Sequence, residues 1–377
     1  MSNQVRPSDP EKSDPENELR HLINQFDEQL VQSTVQQEVF RRIATFCEGV
    51  RDYQQHERYA RPDDPPVLAQ FGAARLLDYG SKTQSECGAP ALIIPSLINR
   101  AYVLDLTEKR SLVRALSQRG VRPLLVDWGT PGDQEATYDL QAYITGPLQH
   151  FLNVTCEVSD QKPSITGYCM GGLLALSLAI RNPNRSSSLA LLATPWDFHN
   201  GLGANLITLR ALRPGLEVLL DQFGNLPVDV LQAMFASLDP ALTELKFRSF
   251  AERDKNKERA QLFVALEDWV NDGVPLVAPV ARECLFDWYL DNAPMQGNWT
   301  IDGVVVSPDA LPCPSLTVIP RNDHIVPPGS AEALADRLPN NERLNINAGH
   351  IGMVTGRYAK SALYEPLAKW IKSNQKG

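Results

Sequence analysis

The residue with the clearest chemical potential is Cys169, which lies in the middle of the glycine-bracketed segment 167–171 (GYCMG). A strand-like run precedes it at residues 164–166, and a helical run follows at residues 173–180. A nucleophile on a sharp strand-to-helix turn needs small residues two positions to either side. The start of a helix also favours the thiolate, the form that attacks. A buried structural cysteine is the alternative interpretation, but the glycines at this junction favour a nucleophile.

The order of strand, nucleophile turn and helix resembles the α/β-hydrolase fold, in which the base and the acid follow the nucleophile along the chain. Three histidines follow Cys169: His199, His324 and His350. His350 lies between glycines in the run NAGHIG, beyond a strand-like segment at residues 343–346. A loop near the C-terminus is where this fold places its base, so we interpret His350 as the base. A surface histidine is the alternative.

A carboxylate is expected to orient that base. Asp323 follows the strand-like run 315–320 and precedes His350 by 27 residues (350 − 323). A loop at that strand end suits the orienting acid, whereas a solvated loop aspartate is the alternative. His324 is interpreted as a residue that supports this pair, and not as the base.

Backbone amides are expected to stabilise the oxyanion that forms during acyl transfer. The amide after the nucleophile belongs to Met170. The second donor should come from the loop after an early strand, here residues 95–100, and we assign it to Ile98.

The segments around these residues alternate between strand-like apolar runs and helical patterns. Continuous apolar runs, typical of strands buried on both faces of a parallel sheet, occur at residues 91–98, 122–128, 164–169, 189–194 and 315–320. Helical patterns lie between several of them, at residues 111–119, 140–152 and 172–181. This alternation indicates an α/β protein with a mostly parallel central sheet.

The chain divides into predicted regions by composition. Residues 1–17 are polar and expected to be disordered, and residues 18–60 form a predicted N-terminal helical segment that packs on its own core or on a partner. Residues 61–200 and 300–377 are assigned to the α/β-hydrolase core. Residues 201–299 contain helical patterns but no clear buried strand. They are predicted to form an inserted helical cap over the site.

Composition narrows the class of protein. A net charge of −9 and a pI near 5.3 argue against a nucleic-acid partner, because phosphate binding requires a basic surface. The six cysteines are scattered, without the paired spacing of a zinc site, so no metal is expected. Neither a signal peptide nor an apolar run long enough to span a membrane is found in the sequence. We therefore expect a cytoplasmic protein with reduced thiols.

Several segments resemble the polyhydroxyalkanoate (poly-3-hydroxybutyrate) synthases. The turn at Cys169 resembles their lipase-box variant, which carries cysteine in place of serine. The similarity extends from about residue 92 to the C-terminus, and the short length is most similar to the class III catalytic subunit. The matching segments are INR at 98–100, VDWG at 126–129, LATPWDFH at 192–199, GNLP at 224–227, DHIVP at 323–327 and GHIG at 349–352.

The resemblance implies a substrate, a product and a role for each site residue. The substrate would be an (R)-3-hydroxyacyl-CoA and the product a growing polyester chain, with coenzyme A as a substrate moiety and product and no cofactor. Cys169 would carry the chain as a thioester, His350 would deprotonate the thiol, and Asp323 would activate the incoming 3-hydroxyl group. A homodimer, a non-catalytic synthase subunit and the surface of storage granules are the associations it allows.

Two other functions use the same residues or the same fold. Attack of water on the acyl-enzyme would give a thioesterase or a polyester depolymerase. An inactive paralogue that binds granules is the third hypothesis, against which the intact Cys169, Asp323 and His350 argue. A cysteine nucleophile favours transfer over hydrolysis, because thioesters exchange readily with CoA thiols.

Overall fold

The computed structural model describes residues 27–80, 88–201, 203–255 and 257–375. The predicted disordered N-terminus, residues 1–17, and the start of the predicted helical segment 18–60 lie outside these residues. The first described helix, α1, spans Glu28–Gln55 and begins at Asp27, whose side chain accepts a hydrogen bond from the Leu30 amide at 3.0 Å. Such an N-cap satisfies one of the backbone donors that a helix start leaves without an acceptor.

An eight-stranded sheet is the centre of the described structure. The strands are β1 (Val67–Phe71), β2 (Ala74–Asp78), β3 (Ala89–Ile94), β4 (Val121–Asp127), β5 (Ser164–Tyr168), β6 (Ser188–Leu192), β7 (Ser315–Pro320) and β8 (Asn341–Ile346). Their spatial order is β1-β2-β4-β3-β5-β6-β7-β8. β2 pairs antiparallel with both β1 and β4, and every pair from β4 to β8 is parallel.

Helices connect and cover these strands. The remaining α-helices are α2 (Leu112–Ser117), α3 (Leu140–Tyr143), α4 (Gln149–Ser159), α5 (Met170–Arg181), α6 (Gly203–Phe223), α7 (Val228–Leu238), α8 (Pro240–Ala251), α9 (Glu258–Asn271), α10 (Ala278–Arg282), α11 (Ala293–Gln296), α12 (Pro328–Arg337), α13 (Gly352–Thr355) and α14 (Glu365–Ser373). The described residues also contain three π-helical segments, at Ile144–Leu148, Glu283–Leu290 and Lys360–Tyr364.

The apolar runs of the sequence form the inner strands. Every residue of β5, β6 and β7 is buried, which is the reason these runs are apolar throughout and do not alternate. The predicted fold class, a mostly parallel α/β-hydrolase sheet with inserted helices, is confirmed. Because the carboxyl ends of parallel strands lie at one edge, the loops after β3, β5, β7 and β8 are brought to the same side of the sheet.

Two compact units divide the chain. The first contains the described residues of 1–57 and 241–256; in it the Phe247 ring contacts the edges of Phe46 and Tyr53 at centroid distances of 6.0 and 5.8 Å. The second contains the described residues of 58–240 and 257–377, including the whole sheet. Residues 241–256 of the predicted insert thus fall in the first unit, and the domain boundaries given above stay predictions.

The described residues were also examined for membrane-spanning helices and for disulfide bonds. None of their helices is both long and apolar enough to cross a membrane. Their cysteines are all free thiols: Cys47, Cys156, Cys169, Cys284 and Cys313.

Candidate active site

Cys169 lies on a strained turn between β5 and α5. Its backbone has φ 56° and ψ −128°, a conformation that costs a non-glycine residue about 1–3 kcal/mol. The turn is fixed on both sides, because the Cys169 amide donates to the Leu192 carbonyl at 2.9 Å and the Gly172 amide donates to the Cys169 carbonyl at 2.9 Å. This geometry presents the half-buried Cys169 side chain at the carboxyl edge of the sheet.

The glycines of the turn are required by close backbone contacts. A Cβ on Gly171 would lie 2.2 Å from the Ile94 carbonyl oxygen, and one on Gly172 would lie 1.9 Å from Thr194 Oγ1. Helix α5 therefore starts directly against the ends of β3 and β6. The small residues that the sequence shows around Cys169 are those that this packing demands.

Asp323 and His350 form a buried pair. The imidazole Nδ1 lies 2.6 Å from Asp323 Oδ2, and the two residues are only 5% and 6% exposed. Asp323 Oδ1 accepts from the amides of Ile325 and Val326 at 2.9 and 2.8 Å. With Nδ1–H donating to the carboxylate, Nε2 is the nitrogen left to act as a base.

The imidazole of His350 also makes side-chain contact with Cys169. Burial by itself lowers the pKa of His350, but the charges of Cys169 and Asp323 and hydrogen bonds to both outweigh it and raise the pKa to about 10. A raised pKa makes the imidazole a stronger base, so His350 binds more tightly the proton that it takes from the Cys169 thiol. The structure therefore brings the three predicted residues Cys169, Asp323 and His350 together.

Tyr168 is a site residue that the sequence analysis did not identify. Its ring lies 5.2 Å from the His350 ring, and its hydroxyl donates to the His350 carbonyl oxygen at 3.3 Å. The residue next to the nucleophile thus fixes the loop that carries the base. No sequence signal marks this contact, which joins β5 to the loop after β8.

The remaining predicted site residues are Met170, Ile98 and His324. Met170 is the first residue of α5, where backbone amides have no intrahelical acceptor. The Ile98 amide donates to Ser96 Oγ at 3.0 Å, so that bond must open before this amide can bind an oxyanion. His324 is exposed, and among the described residues its side chain forms no hydrogen bond. The amides of Ile325 and Val326, and not His324 as predicted from the sequence, donate hydrogen bonds to Asp323.

One segment of the insert belongs to the apolar core on which the nucleophile packs. The π-helix Glu283–Leu290 carries Cys284 and Tyr289, and the charge of Cys169 contributes to raising the pKa of both side chains, after burial as the main cause. Cys169 packs on the apolar core to which Cys284 and Trp288 belong. π-Helical geometry is rare, and where it interrupts α-helices it is frequently found at functional sites.

A polar clamp holds the end of this π-helix to the loop after β6. Asn292 Nδ2 donates to Asp197 Oδ1 at 2.8 Å, and the Phe198 amide donates to Asn292 Oδ1 at 3.0 Å. The Phe198 ring meets the Tyr289 ring edge-on, with centroids 4.9 Å apart. Asn292 itself adopts a left-handed conformation, with φ 53°.

Glu283, the first residue of this π-helix, should make stability depend on pH. Burial raises its pKa to about 7, the Leu140 amide bond opposes this, and Asp139 and Asp287 raise it further. Between pH 4.5 and 7 the unfolded chain ionises while the folded chain keeps its proton, so the stability falls as the pH rises. We expect this carboxyl to cost up to about 3 kcal/mol at pH 8 relative to pH 4.5. Comparing denaturant unfolding of wild type and Glu283→Gln from pH 4.5 to 8 measures the difference.

The control for this prediction is Glu108→Gln, which removes an exposed carboxyl. Its unfolding free energy should follow the wild-type pH curve. A difference between wild type and Glu283→Gln that stays constant from pH 4.5 to 8 would contradict the prediction.

Comparison with known families supports the fold and the resemblance. A model described as "alpha/beta hydrolase fold" matches residues 92–356, and one described as "Poly-beta-hydroxybutyrate polymerase (PhaC) N-terminus" matches residues 65–116. Among solved structures, BpoC of Mycobacterium tuberculosis aligns with TM-score 0.52 and 17% identity, covering 85% of this chain and 98% of BpoC. An esterase of Thermogutta terrifontis aligns with TM-score 0.51 and 16% identity, covering 84% of this chain and 100% of the esterase. At these identities the two structures support the fold alone.

The curated relatives identify the family within this fold, which the solved structures do not. The chain is 31% identical to the poly(3-hydroxyalkanoate) polymerase subunit PhaC of Synechocystis sp. over 299 residues, which cover 76% of this chain and 78% of that protein. It is 29% identical to PhaC of Haloferax mediterranei, with 81% of this chain aligned to 63% of that longer protein. The resemblance seen in the sequence is confirmed, and with it the acyltransferase class of the family. The chain belongs to the α/β-hydrolase fold and, within it, to the poly(3-hydroxyalkanoate) polymerases.

Proposed function

We propose that this chain polymerises (R)-3-hydroxyacyl-CoA into polyester through an acyl-enzyme on Cys169. The observation that carries the proposal is the contact of Cys169, on its strained turn, with a buried His350 that is itself bonded to Asp323. This arrangement pairs a nucleophile with a base and an orienting acid, as covalent acyl transfer requires. Membership in the polymerase family supports the substrate class.

The first half-reaction loads the enzyme. His350 Nε2 takes the thiol proton of Cys169, and the thiolate attacks the thioester carbonyl of the substrate. The Met170 amide stabilises the oxyanion. The carbon–sulfur bond to CoA then breaks, and His350 returns its proton to the CoA sulfur, which leaves an acyl thioester on Cys169.

The second half-reaction extends the chain. The 3-hydroxyl of another hydroxyacyl-CoA gives its proton to His350 and attacks the Cys169 thioester. An ester bond forms as the bond to sulfur breaks, and His350 passes the proton to the Cys169 sulfur. The extended chain, now a CoA thioester, acylates Cys169 again. Both oxygens of Asp323 are engaged, by His350 and by backbone amides. We therefore assign Asp323 to holding His350, which differs from the direct action on the hydroxyl that the resemblance implies.

A direct assay tests the proposal. Purified protein is incubated with (R)-3-hydroxybutyryl-CoA while CoA release, polymer and free 3-hydroxybutyrate are measured. We expect CoA release with polymer as the main product. Release of CoA with an equal amount of free hydroxy acid and no polymer would identify a hydrolase instead.

The cover over Cys169 is what favours polymerisation over hydrolysis in this proposal. Water must be kept from the acyl-enzyme while a second hydroxyacyl group is admitted. We propose that residues 201–299 supply a cap. The π-helix Glu283–Leu290, with its apolar packing beside the half-buried Cys169, supports this role for its part of the insert.

Loosening the clamp at Asn292 should therefore change the product. Asn292→Ala removes its side-chain hydrogen bonds to Asp197 and Phe198. We expect the share of free hydroxy acid to rise severalfold at the expense of polymer, because water then reaches the thioester more often. Quantifying both products per CoA released measures this share.

A matched control is Asn153→Ala, which removes an asparagine side chain bonded to Gln149 on α4. Its product ratio should equal that of the wild type. If Asn292→Ala is less stable than the wild type but makes the same proportion of polymer, the proposed role of the clamp is wrong.

The associations implied by the resemblance remain proposals. The relatives are named as subunits of polymerases. We propose a non-catalytic second subunit, self-association as a homodimer and attachment to polyester granules for this chain on that likeness alone.

A further inference from the structure

The oxyanion loop, residues 95–100, is held at both of its ends by tryptophan side chains. At its start, Trp128 Nε1–H donates to the Pro95 carbonyl at 3.1 Å. At its end, Trp269 Nε1–H donates to the Arg100 carbonyl at 2.8 Å. Both indoles are buried, and a hydrogen bond away from water is stronger than the same bond in water.

The start of the oxyanion loop lies against the turn that carries the nucleophile. A Cβ on Gly171 would lie 2.5 Å from the Pro95 carbonyl oxygen and 2.6 Å from the carbonyl carbon. Gly171 directly follows Met170, whose amide serves the loading step, and is two residues from Cys169. From this contact the chain continues directly into residues 96–98.

The anchor at the other end of the oxyanion loop comes from the insert. Trp269 lies in the last turn of α9, and Asp272 is the residue that ends this helix. Asp272 Oδ1 lies 3.4 Å from Arg100 Nε, and Asp272 Oδ2 accepts from the Tyr102 hydroxyl at 3.1 Å. Helix α9 therefore holds the end of the loop through the backbone and through side chains. The helix and the loop belong to the same compact unit.

Between the two anchors lies the amide assigned as the second oxyanion donor, which belongs to Ile98. It donates to Ser96 Oγ at 3.0 Å, so the peptide must turn to release it. Asn99, the next residue, has φ 66°, a left-handed conformation that asparagine adopts more readily than most residues. The change can stay within residues 96–99 if both anchors hold.

We propose that Trp269 is a positioning residue of the oxyanion hole. By fixing the Arg100 carbonyl, it keeps the Ile98 amide within reach of the oxyanion once this amide has left Ser96. The proposal rests on the proposed acyl transfer at Cys169 and on the assignment of Ile98 as the second donor. A donor acts only within hydrogen-bond distance of the oxyanion, and a displacement of about 1 Å can lower a rate by about 10²-fold.

Two reactions of Cys169 in Trp269→Phe separate this role from a general loss of structure. Acylation by (R)-3-hydroxybutyryl-CoA passes through an oxyanion, whereas alkylation by iodoacetamide replaces iodide at a saturated carbon and forms none. We expect the maximal rate of single-turnover acylation to fall by about 10- to 100-fold, with the half-saturating substrate concentration unchanged, because the lost interaction belongs to the transition state. Alkylation of Cys169, followed by mass spectrometry of its peptide, should keep the wild-type rate.

Trp370→Phe is the matched control. The Trp370 indole is also buried, belongs to the same apolar core as Trp269 and donates to Glu342 Oε1 at the same distance, 2.8 Å. Its donor is on α14 and its acceptor is on β8, so neither belongs to the oxyanion loop. Acylation and alkylation of Cys169 should both match wild type in this variant.

Asp272→Asn gives a second variant if Trp269→Phe does not fold. It keeps the size of the side chain but removes the charge that faces Arg100 at the end of the oxyanion loop. We expect acylation to fall severalfold while alkylation keeps the wild-type rate. Unchanged acylation in a folded Asp272→Asn protein would then count against the anchor.

Either of two outcomes with folded Trp269→Phe protein would overturn the proposal. Acylation at or above the wild-type rate would show that the indole bond is not needed or that it restrains the loop. An equal fall in acylation and alkylation would show a structural role only. The proposed polymerase function fails in a different way, if wild-type protein is acylated at Cys169 but makes no polymer. The comparison of the two reactions then still decides the role of Trp269.

Discussion

Replacing Cys169 with alanine is expected to abolish CoA release from (R)-3-hydroxybutyryl-CoA. Among the described residues no other thiol lies at the elbow, and His350 makes its side-chain contact with Cys169. Losing covalent catalysis should reduce the rate by several orders of magnitude. CoA release measured with a thiol reagent, and the absence of an acylated protein by mass spectrometry, would establish this result.

The fold tolerates the change at Cys169 better than the chemistry does, because alanine keeps the small side chain on the strained turn. Cys47→Ala, which removes an exposed thiol from α1, is the matched control and should keep wild-type activity. Activity of Cys169→Ala within about tenfold of wild type, a barrier change of only ~1.4 kcal/mol, would refute the nucleophile assignment.

Replacing His350 with glutamine should prevent loading of Cys169 altogether. The imidazole is the only base in contact with the thiol among the described residues, and an amide cannot accept its proton at neutral pH. Brief exposure to substrate followed by mass spectrometry of the intact protein tests this. An acylated His350→Gln protein would show that another group generates the thiolate.

Asp323→Asn, examined beside it, separates two roles for the acid. If Asp323 acts through His350, as the 2.6 Å contact indicates, loading and extension should slow together, by about 10⁴-fold for the wrong tautomer. If it acts directly on the incoming hydroxyl, loading should survive and acyl-enzyme should accumulate. The ratio of the two rates decides between these roles.

The strands and the catalytic residues were predictable from local patterns. The run at 315–320 coincides with β7, and the runs at 122–128 and 189–194 differ from β4 and β6 by one or two residues at their ends. A continuous apolar run is required where a strand is buried on both faces, and flanking glycines are required at the strained turn. Both features can therefore be read from the local sequence. The role of Asp323 could be predicted for the same reason, since this residue directly follows the apolar run 315–320.

Other parts of the structure depend on partners far along the chain. The antiparallel hairpin β1–β2 was missed, because its partly exposed edge strand lacks a continuous apolar run. Helix α6 was missed as well, since Pro214 interrupts its pattern. The bonds of Asn292 to Asp197 and Phe198 join segments that no local pattern relates, so only the folded chain reveals them.

The placement of the nucleophile on β5 and the base after β8 has a consequence for synthesis of the protein on the ribosome. Cys169 is translated 181 residues before His350 (350 − 169). At about 5–20 residues per second, the thiol exists for roughly ten to thirty-five seconds before its base is made. During that interval His350 is not yet present to activate it, even if β3, β4, β5 and β6 have already paired. The proposed acyl transfer on Cys169 therefore requires that β7 and β8 have joined the sheet, because the loops after these strands carry Asp323 and His350.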